Sequence, residues 1–474
     1  MVGVVLLHRN YRLNDNKALQ QALQQQAKVI MVFIGTPEQL NSKEHHQPND
    51  SPVANSYFSN NSVQFMVQSL EDLNTELQKY NSKVHIFYGN YKDIISLMLS
   101  ELDKQFPNSK HGIYMAHDFT PYAKQREANI KQICTDNNVD LVITQDDLTI
   151  VDINTIKTQK GDFYKTFKYF YVQVKNKVKD ITIEDYSKDY NKLTTIEFCA
   201  QLPCYTFAEF HQTYNDNPKV IVKGGRTNGL TILQKIPQFE LYGENRDEPM
   251  YNTTLLSAYI KFGCLSMREV ALWAYKNYGA ESELLRQVIW HDFFANLMEN
   301  ISAERSIGGG NYQEKKVKWQ YDEKLWQAWQ NGQTGFPMCD AGMRQLNSVG
   351  WMHNRARMVV VGVLCHMFLL DWHLGEKYFA QHLVDYDVSS NNGNWQATAG
   401  VGYDYRWYVF NPFLQSKKYD KECFYIKKWL PELKDVPNKD IHEWQTAHTK
   451  YSQLNYPGPL VDYSVQRDKA KQVI

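Results

Sequence analysis

The sequence lacks any Cys-x-x-Cys pair, although the chain of 474 residues contains seven cysteines. They are odd in number and scattered, and the spacings that structural zinc sites and iron–sulfur clusters use are missing. We therefore predict a protein of a reducing compartment, with no disulfide framework and no metal site. The seven are Cys134, Cys199, Cys204, Cys264, Cys339, Cys365 and Cys423.

Long apolar runs and an excess of charge are missing as well. The segment from Met1 to His8 is apolar but too short to cross a membrane, so it is predicted to be a buried strand. The 52 basic and 52 acidic residues cancel. Any nucleic-acid site must then be a local basic patch. We expect a soluble, cytoplasmic protein without a membrane partner.

The first third of the chain alternates short apolar runs with segments of helical spacing. The runs cover residues 4–7, 29–34, 84–88, 113–116 and 139–144. This alternation predicts a Rossmann-like α/β domain, in which helices cover both faces of a parallel sheet. Because no Gly-x-Gly-x-x-Gly follows the first run, a conventional dinucleotide site is not indicated.

The rest of the chain has a different pattern. Residues 146–223 are polar and show no clear period, whereas helical spacing dominates from residue 227 onward. Helices are predicted at 255–262, 267–278, 284–298, 325–330, 339–349 and 351–370. We predict an α/β domain at 1–145, a connecting segment at 146–223 and an all-α domain at 224–474.

Two arginines, Arg355 and Arg357, interrupt an apolar stretch of the predicted helical domain. A buried guanidinium needs an anionic partner or a ligand. Asp385 and Asp387 are candidate partners, and they precede the run Asn391-Asn392-Gly393-Asn394-Trp395-Gln396. We therefore predict a functional site here.

In order and spacing, these segments resemble the DNA photolyase/cryptochrome family, flavoproteins that use blue light. The resemblance runs from Arg12-Leu13-Asn14-Asp15-Asn16 to Trp429-Leu430-Pro431-Glu432-Leu433. It is closest to the bacterial-type class that repairs cyclobutane pyrimidine dimers. It implies an antenna-type α/β domain, a helical domain that binds FAD, and electron transfer from light-excited reduced FAD to a flipped lesion. A cryptochrome-type receptor and a (6-4) or single-strand-type photolyase are the alternatives.

The resemblance also implies a set of cofactor contacts. Arg357 is expected to pair with Asp385 beside the flavin, and Asn391 to lie close to the reactive flavin nitrogen. Thr253 and Thr254 are expected to open a helix whose start cradles the diphosphate, although Leu255 stands where the family usually has Arg. The expected FAD-binding residues are Tyr242, Thr253, Thr254, Leu256, Ser257, Trp351, Asn354, Arg357, Asp385, Asp387 and Asn391.

Three tryptophans match the electron-transfer chain of the family. Trp395 is expected next to the flavin, Trp372 in the middle, and Trp319 near the surface. Together with Asn391 and Gln287, they form the expected catalytic set.

UV-damaged DNA is the partner that the resemblance implies, and the protein is expected to be a monomer. Trp290 is expected to be a stacking wall for the flipped lesion, with Met358 as an apolar neighbour. The expected phosphate contacts are Arg355, Arg406, Lys417 and Lys418.

The chain departs from the dimer-photolyase pattern at two positions. Gln287 replaces a substrate-binding Glu, and Ala397 replaces a second aromatic wall. Gln287 is also typical of (6-4) enzymes, but these carry histidines where this chain has Asn354 and Met358, which counts against (6-4) repair. The stretch from Ala399 to Gly402 looks like DASH-type cryptochromes.

A second, light-harvesting chromophore is a further expectation from the family. The segment from Ala116 to Tyr122 follows a predicted strand and is a candidate for lining its site. Folate, a deazaflavin, a second flavin or no chromophore all remain open.

Overall fold

The structure is a computed structural model that describes residues 1–40, 55–198, 201–251, 253–403 and 408–474. Contacts divide the chain into two compact units. The α/β unit comprises Met1–Asn217, Val222–Pro237 and Leu256–Asn300, and the helical unit comprises Pro218–Ile221, Gln238–Leu255 and Ile301–Ile474. The predicted boundaries at residues 145 and 223 stay predictions.

The α/β unit contains a five-stranded parallel sheet with the order β3-β2-β1-β4-β5. The parallel sheet and the helical remainder confirm the predicted fold class. Strands begin and end within two residues of the predicted runs. They are β1 (Val2–Leu6), β2 (Lys28–Gly35), β3 (Val84–Tyr88), β4 (Gly112–Ala116) and β5 (Asp140–Thr144).

The α-helices of both units are numbered in chain order. They are α1 (Lys17–Gln25), α2 (Pro37–Leu40), α3 (Asn60–Gln78), α4 (Tyr91–Gln105), α5 (Pro121–Asp136), α6 (Phe167–Val178), α7 (Phe207–Phe210), α8 (Arg226–Leu233), α9 (Tyr242–Asn245), α10 (Ser257–Lys261), α11 (Met267–Tyr278), α12 (Glu283–Asn300), α13 (Ala303–Ser306), α14 (Glu323–Gln330), α15 (Pro337–Val349), α16 (Asn354–Gly362), α17 (Trp372–His382), α18 (Val388–Ala399), α19 (Pro412–Tyr419), α20 (Phe424–Trp429), α21 (Asn438–His442), α22 (Trp444–Ala447) and α23 (Tyr463–Val473). Among the residues that the structure describes, none of the helices has the length and apolarity to span a lipid bilayer.

The first strand of the chain, β1, is the central strand of the sheet. Because β1 lies between β2 and β4, the chain reverses its direction of winding beside β1. In open parallel sheets, ligands bind outside the carboxyl ends of the strands at such a reversal. The segment after β4 from His117 to Tyr122, which was predicted to line a chromophore site, follows one of these ends.

The Arg12-to-Asn16 motif has a structural role in the α/β unit. Arg12 is 1% exposed and contacts Asp147 at 2.5 Å, while Asp15 accepts from Arg268 at 3.0 Å. Asn16 caps α1 by accepting from the Leu19 amide. Removing one partner of such a buried pair leaves an uncompensated charge, so this segment stabilises the unit.

The interpretation of residues 146–223 as a segment without a period is wrong in part. Helix α6 lies within it and buries Phe167, Phe170, Val174 and Val178 at intervals of three or four residues. That spacing is an apolar helical stripe, and the intervening lysines and tyrosines hid it. Part of the predicted connecting segment is therefore core of the α/β unit.

The helical unit is built around α15, α16, α17 and α18, whose apolar faces share one core. The predicted helix at 351–370 is shorter than expected: α16 begins at Asn354, and a π-helix from Val363 to Met367 follows it. His353 is the N-cap of α16 and accepts from the Arg355 amide at 3.1 Å. Burial lowers the pKa of His353 to about 4, so the imidazole is neutral and its Nδ1 can accept.

Candidate functional site

Helix α18 carries the Asn391-to-Gln396 run. Five of its residues in succession, Ser389 to Gly393, are poor helix formers. The helix is held by tertiary contacts instead: Asp387 accepts from the Ser390 amide at 2.8 Å, and Asn392 donates to the Ser306 carbonyl at 2.7 Å. Local preference that opposes the structure is typical of functional sites, so these residues are candidates for binding.

Asn391 is oriented by a buried carboxylate that the sequence analysis missed. Its Nδ2 donates to Glu376 Oε1 at 3.0 Å, and the Tyr386 hydroxyl donates to the same oxygen at 3.0 Å. Glu376 lies on α17 and is 2% exposed. Because the amide nitrogen is engaged, the Asn391 carbonyl oxygen is the atom that remains for a ligand.

Arg357 and Asp385 form the ion pair that the sequence predicted. Arg357 Nη2 lies 3.1 and 3.0 Å from the two carboxylate oxygens, and Arg357 Nε donates to the Met352 carbonyl at 2.8 Å. The carboxylate side chain is 4% exposed, whereas the guanidinium side chain is 23% exposed. The charge of the arginine is thus neutralised by Asp385, while part of the guanidinium remains accessible to a ligand.

Arg355, which was predicted to contact phosphate, is engaged in a different way. Its Nη2 lies 2.7 Å from Asp247 Oδ1, and its guanidinium lies over the Tyr419 ring at 4.1 Å. A carboxylate neutralises the charge that a phosphate would need. Arg355 is therefore a weaker candidate for a DNA contact than the sequence suggested.

Two buried polar atoms of α18 have no hydrogen-bond partner among the described residues. They are Ser389 Oγ and Trp395 Nε1, on side chains that are at most 2% exposed. A buried polar atom without a partner costs free energy unless a ligand or water supplies the bond. This end of the helical unit therefore fits a bound polar group such as a flavin.

The predicted tryptophan chain lies on three segments of the helical unit. Trp395 is 2% exposed and abuts Gly375, where an added Cβ would overlap the indole ring. Trp372 lies one turn before Gly375 on α17 and is 1% exposed. Trp319 is half-buried, and the next residue, Gln320, donates its amide to Leu369 at 2.9 Å. Two of the three rings are therefore buried and Trp319 reaches the surface, whereas their role in electron transfer stays a prediction.

A second route of tryptophans leads to Trp395 through Trp329. The centroids of Trp329 and Trp395 are 6.3 Å apart, and Trp329 stacks on the half-buried Trp326 at 5.3 Å. The spacing of Trp326 and Trp329 on α14 was a visible signal for a shared face, but it did not identify which ring they would meet.

The predicted diphosphate cradle is not a capped helix start. Helix α10 begins at Ser257, its N-cap is Leu256, and no side chain caps it. Thr253 and Thr254 lie before the helix, separated from it by Leu255, whose φ of 54° is left-handed. Thr253 and Thr254 were expected to open the helix, but the turn at Leu255 displaces its start to Ser257. Tyr242 begins the short helix α9.

Helix α12 of the α/β unit carries the two predicted substrate residues. Gln287 Nε2 donates to Glu283 Oε1, one turn earlier, at 2.7 Å. Trp290 is half-buried and stacks on Phe167 of α6, with ring centroids 3.6 Å apart and planes at 7°. The indole therefore has one covered face.

The remaining predicted residues differ in exposure, and one of them, Arg406, is not among the described residues. Lys417 and Lys418 are exposed at the end of α19, Asn354 is exposed, and Met358 is half-buried on α16. Trp351 is 5% exposed and meets the His353 ring edge-on. Arg406 and Cys199 lie outside the described residues.

His117, at the end of β4, is held between two carboxylates of the α/β unit. Its Nδ1 lies 2.8 Å from Glu127 and its Nε2 lies 3.2 Å from Glu299, which also contacts Lys124 at 3.1 Å. Burial alone would lower the pKa of His117, but the two hydrogen bonds outweigh it and raise the pKa to about 10. The imidazolium thus joins α5 and α12 to the carboxyl end of β4.

This geometry predicts a dependence of stability on pH. The pKa of His117 rises from 6.5 to about 10 on folding, so its contribution is complete below pH 6.5 and is lost as the pH rises toward 10. His117→Gln should therefore lower the melting temperature at pH 7, and the difference from the parent should shrink by pH 10. An equal difference at both pH values would contradict the assignment.

Two family models match the chain. The FAD binding domain of DNA photolyase matches residues 284–474, and DNA photolyase matches residues 3–187. A deoxyribodipyrimidine photo-lyase of Buchnera aphidicola is 30% identical over 98% of this chain and 95% of its own length. The chain belongs to the DNA photolyase family. The resemblance that the sequence motifs suggested is thereby confirmed.

Solved structures of this family have the same fold. A photolyase from Sulfolobus tokodaii, described with two FAD molecules that implicate a novel light-harvesting cofactor, has a TM-score of 0.79 and 31% identity. The match covers 100% of this chain and 99% of that chain. A Synechocystis cryptochrome has a TM-score of 0.86 and 25% identity, covering 100% and 99%. The photolyase fold therefore extends over both units of the chain, and photolyases and cryptochromes share it.

Proposed function

We propose that this protein repairs cyclobutane pyrimidine dimers in DNA, using blue light and FAD. Full-length similarity to a deoxyribodipyrimidine photo-lyase is the observation that carries the proposal. The site agrees with it, because the Arg357–Asp385 pair, the Asn391 amide and the unpartnered atoms of α18 lie in the segment that the FAD-binding model matches.

The residues proposed to hold FAD in the helical unit are Arg357, Asp385, Asp387, Asn391 and Trp395. When bound and reduced, FAD supplies the light-absorbing electron donor. Asp385 neutralises Arg357, so the open side of the guanidinium can donate a hydrogen bond to a polar group without leaving an unpaired charge in the interior. Glu376 orients the Asn391 amide, so its carbonyl oxygen can accept a hydrogen bond from a protonated nitrogen of a ligand.

For DNA, we propose that Trp290 stacks on the flipped dimer and that Lys417 and Lys418 contact phosphates. Base flipping costs a few kcal/mol, and the cost is smallest at damaged bases. This difference contributes to the preference for the lesion over undamaged DNA. Stacking on an aromatic side chain is worth roughly 1–3 kcal/mol per base. Trp290→Ala should therefore weaken binding of a dimer-containing oligonucleotide by about 5- to 150-fold in the dark.

The choice of lesion rests on two positions of α16. A (6-4) mechanism needs an imidazole to transfer a proton near the lesion. Asn354 and Met358 cannot do this, and Asn354 is exposed rather than buried in a network. Dimer splitting needs no such group, so these residues favour cyclobutane dimers.

A blue-light receptor without repair activity is the second candidate. The departures at Gln287 and Ala397 favour it, since both remove groups that dimer photolyases use on the substrate. A defined assay separates the two: purified, reduced protein is irradiated with blue light on oligonucleotides that carry either a thymine dimer or a (6-4) lesion. Repair of the dimer alone supports the proposal; repair of the (6-4) lesion, or of neither, overturns it.

The two departures predict that repair can be improved. Gln287→Glu would place a carboxyl group at the position that now donates to Glu283, and the proximity of two carboxyls raises the pKa of one of them. A protonated carboxyl can donate to a pyrimidine carbonyl. Repair yield of the thymine dimer should rise in this variant, and Gln287→Leu is the control that should lower it.

Ala397→Trp should act on affinity rather than on chemistry. Ala397 is half-buried on α18, and an added indole can contribute about 1–3 kcal/mol of stacking. Dark binding of the dimer oligonucleotide should tighten, whereas binding of undamaged duplex should not change. Unchanged discrimination would mean that this position does not face the lesion.

A second chromophore is proposed at the carboxyl ends of the strands in the α/β unit. Arg126 is 7% exposed there and lies near the rings of Tyr91 and Tyr122, while the Tyr122 hydroxyl lies 3.1 Å from Thr36 Oγ1. A buried cation beside aromatic rings suits an anionic ring system. The test is to extract the chromophores from the purified protein, separate them from FAD and record their absorbance spectra. A second absorbing species beside FAD supports the proposal.

A further inference from the structure

The closest parallel ring stack of helix α12 lies between Trp290 and Phe167, a residue of the segment that the sequence suggested was only connecting. The centroid distance of 3.6 Å and the angle of 7° put the two rings in van der Waals contact over a full face. Phe167 is 6% exposed, so it lies on the buried side of the half-buried Trp290.

Two further rings fix the indole. Phe293 meets Trp290 edge-on at 5.4 Å and 83°, and it also meets Phe167 edge-on at 5.6 Å and 77°. Phe294 lies 5.5 Å from Trp290 at 29°. Three rings therefore pack against the indole, and close packing of this kind restricts the rotation of a side chain.

A cation lies over the Phe167 ring as well. The Arg286 guanidinium lies 5.5 Å from the Phe167 ring and 5.5 Å from the Tyr171 ring. Arg286 precedes Trp290 by one turn on α12, so α6 and α12 are joined by a cation above the two rings. The stack is therefore an ordered feature of the α/β unit rather than a loose apolar contact.

We propose that Phe167 is a positioning residue for the lesion, which acts by holding the Trp290 indole in one plane. A ring that is already fixed loses less conformational freedom when a base stacks on it, and this preorganisation strengthens binding. The inference rests on the proposed role of Trp290 as the stacking wall. It assigns a function in DNA recognition to helix α6.

The test is dark binding of the FAD-loaded protein to an oligonucleotide with one thymine dimer and to the same undamaged duplex. Phe167→Leu should lower the ratio of the two affinities several-fold, by no more than Trp290→Ala does. Phe167→Tyr keeps the aromatic ring, so its ratio of the two affinities should equal that of the parent protein. Phe170→Leu is the matched control, because Phe170 is 0% exposed on the same helix and contacts Phe293, but makes no ring contact with Trp290 in the described structure.

The outcomes separate the two proposals. If Trp290→Ala lowers the affinity ratio and Phe167→Leu does not, the positioning role is overturned and Trp290 remains the wall. An unchanged ratio in Trp290→Ala overturns both. If Phe167→Leu and Phe170→Leu lower the ratio equally, the effect is general destabilisation, and the inference is again overturned. Melting temperatures of both leucine variants show whether the two substitutions are matched in stability.

Discussion

Replacement of Asp385 by alanine is expected to destabilise the helical unit by roughly 3 kcal/mol, because it leaves the Arg357 guanidinium without its carboxylate. The value lies at the low end for a broken buried pair, since the arginine side chain is 23% exposed and keeps some hydration. The variant should also lose flavin during purification. Denaturant unfolding and the ratio of flavin absorbance to protein absorbance measure the two effects.

A second ion pair of the helical unit is a matched control for Asp385→Ala. Arg344 and Glu432 lie 2.7 Å apart, and the arginine side chain is 25% exposed, close to the value for Arg357. Glu432→Ala should lower stability without lowering flavin content. If Asp385→Ala retains parental flavin content and stability, the assignment of the pair to the FAD site is wrong.

The sheet and the ion pair could be predicted for different reasons. Parallel strands buried on both faces are continuous apolar runs, so the sequence pattern located all five of them. The Arg357–Asp385 pair joins residues 28 positions apart, and only the resemblance to a family identified the partners. The structure confirms the contact itself, and its role toward FAD stays a prediction.

Other contacts could not be read from one sequence. Glu376 orients Asn391 from a neighbouring helix, and nothing in the spacing of the two residues indicates this. Phe167 was hidden because lysines and tyrosines interleave the apolar stripe of α6. The helix start expected at Thr253 and Thr254 lies further along the chain, because the left-handed Leu255 separates these residues from the helix. Such a backbone conformation has no strong signature outside glycine and asparagine.

Trp319→Phe is expected to fold as the parent does but to photoreduce its flavin much more slowly in the presence of an external thiol. Trp395 and Trp372 are almost fully buried, so neither can exchange electrons with a thiol in solution. Trp319 is half-buried, and its segment is hydrogen-bonded to the chain just before Trp372. In the predicted chain, an electron that leaves Trp395 would be replaced from Trp372 and finally from Trp319, which the thiol would reduce. Phenylalanine keeps the packing but is much harder to oxidise, so the last step is blocked.

Trp429→Phe is the matched control for this experiment, because Trp429 is also half-buried on the same core but lies outside the predicted chain. It should photoreduce at the parental rate, as followed by the loss of flavin absorbance under blue light. Trp329→Phe gives the second comparison, since Trp329 is in ring contact with Trp395 and stacks on the half-buried Trp326. A parental rate in Trp319→Phe together with a slow rate in Trp329→Phe would overturn the predicted chain, and electrons would then enter from the side of Trp326. Slow photoreduction in Trp319→Phe alone would leave Trp329 as a packing residue of the core.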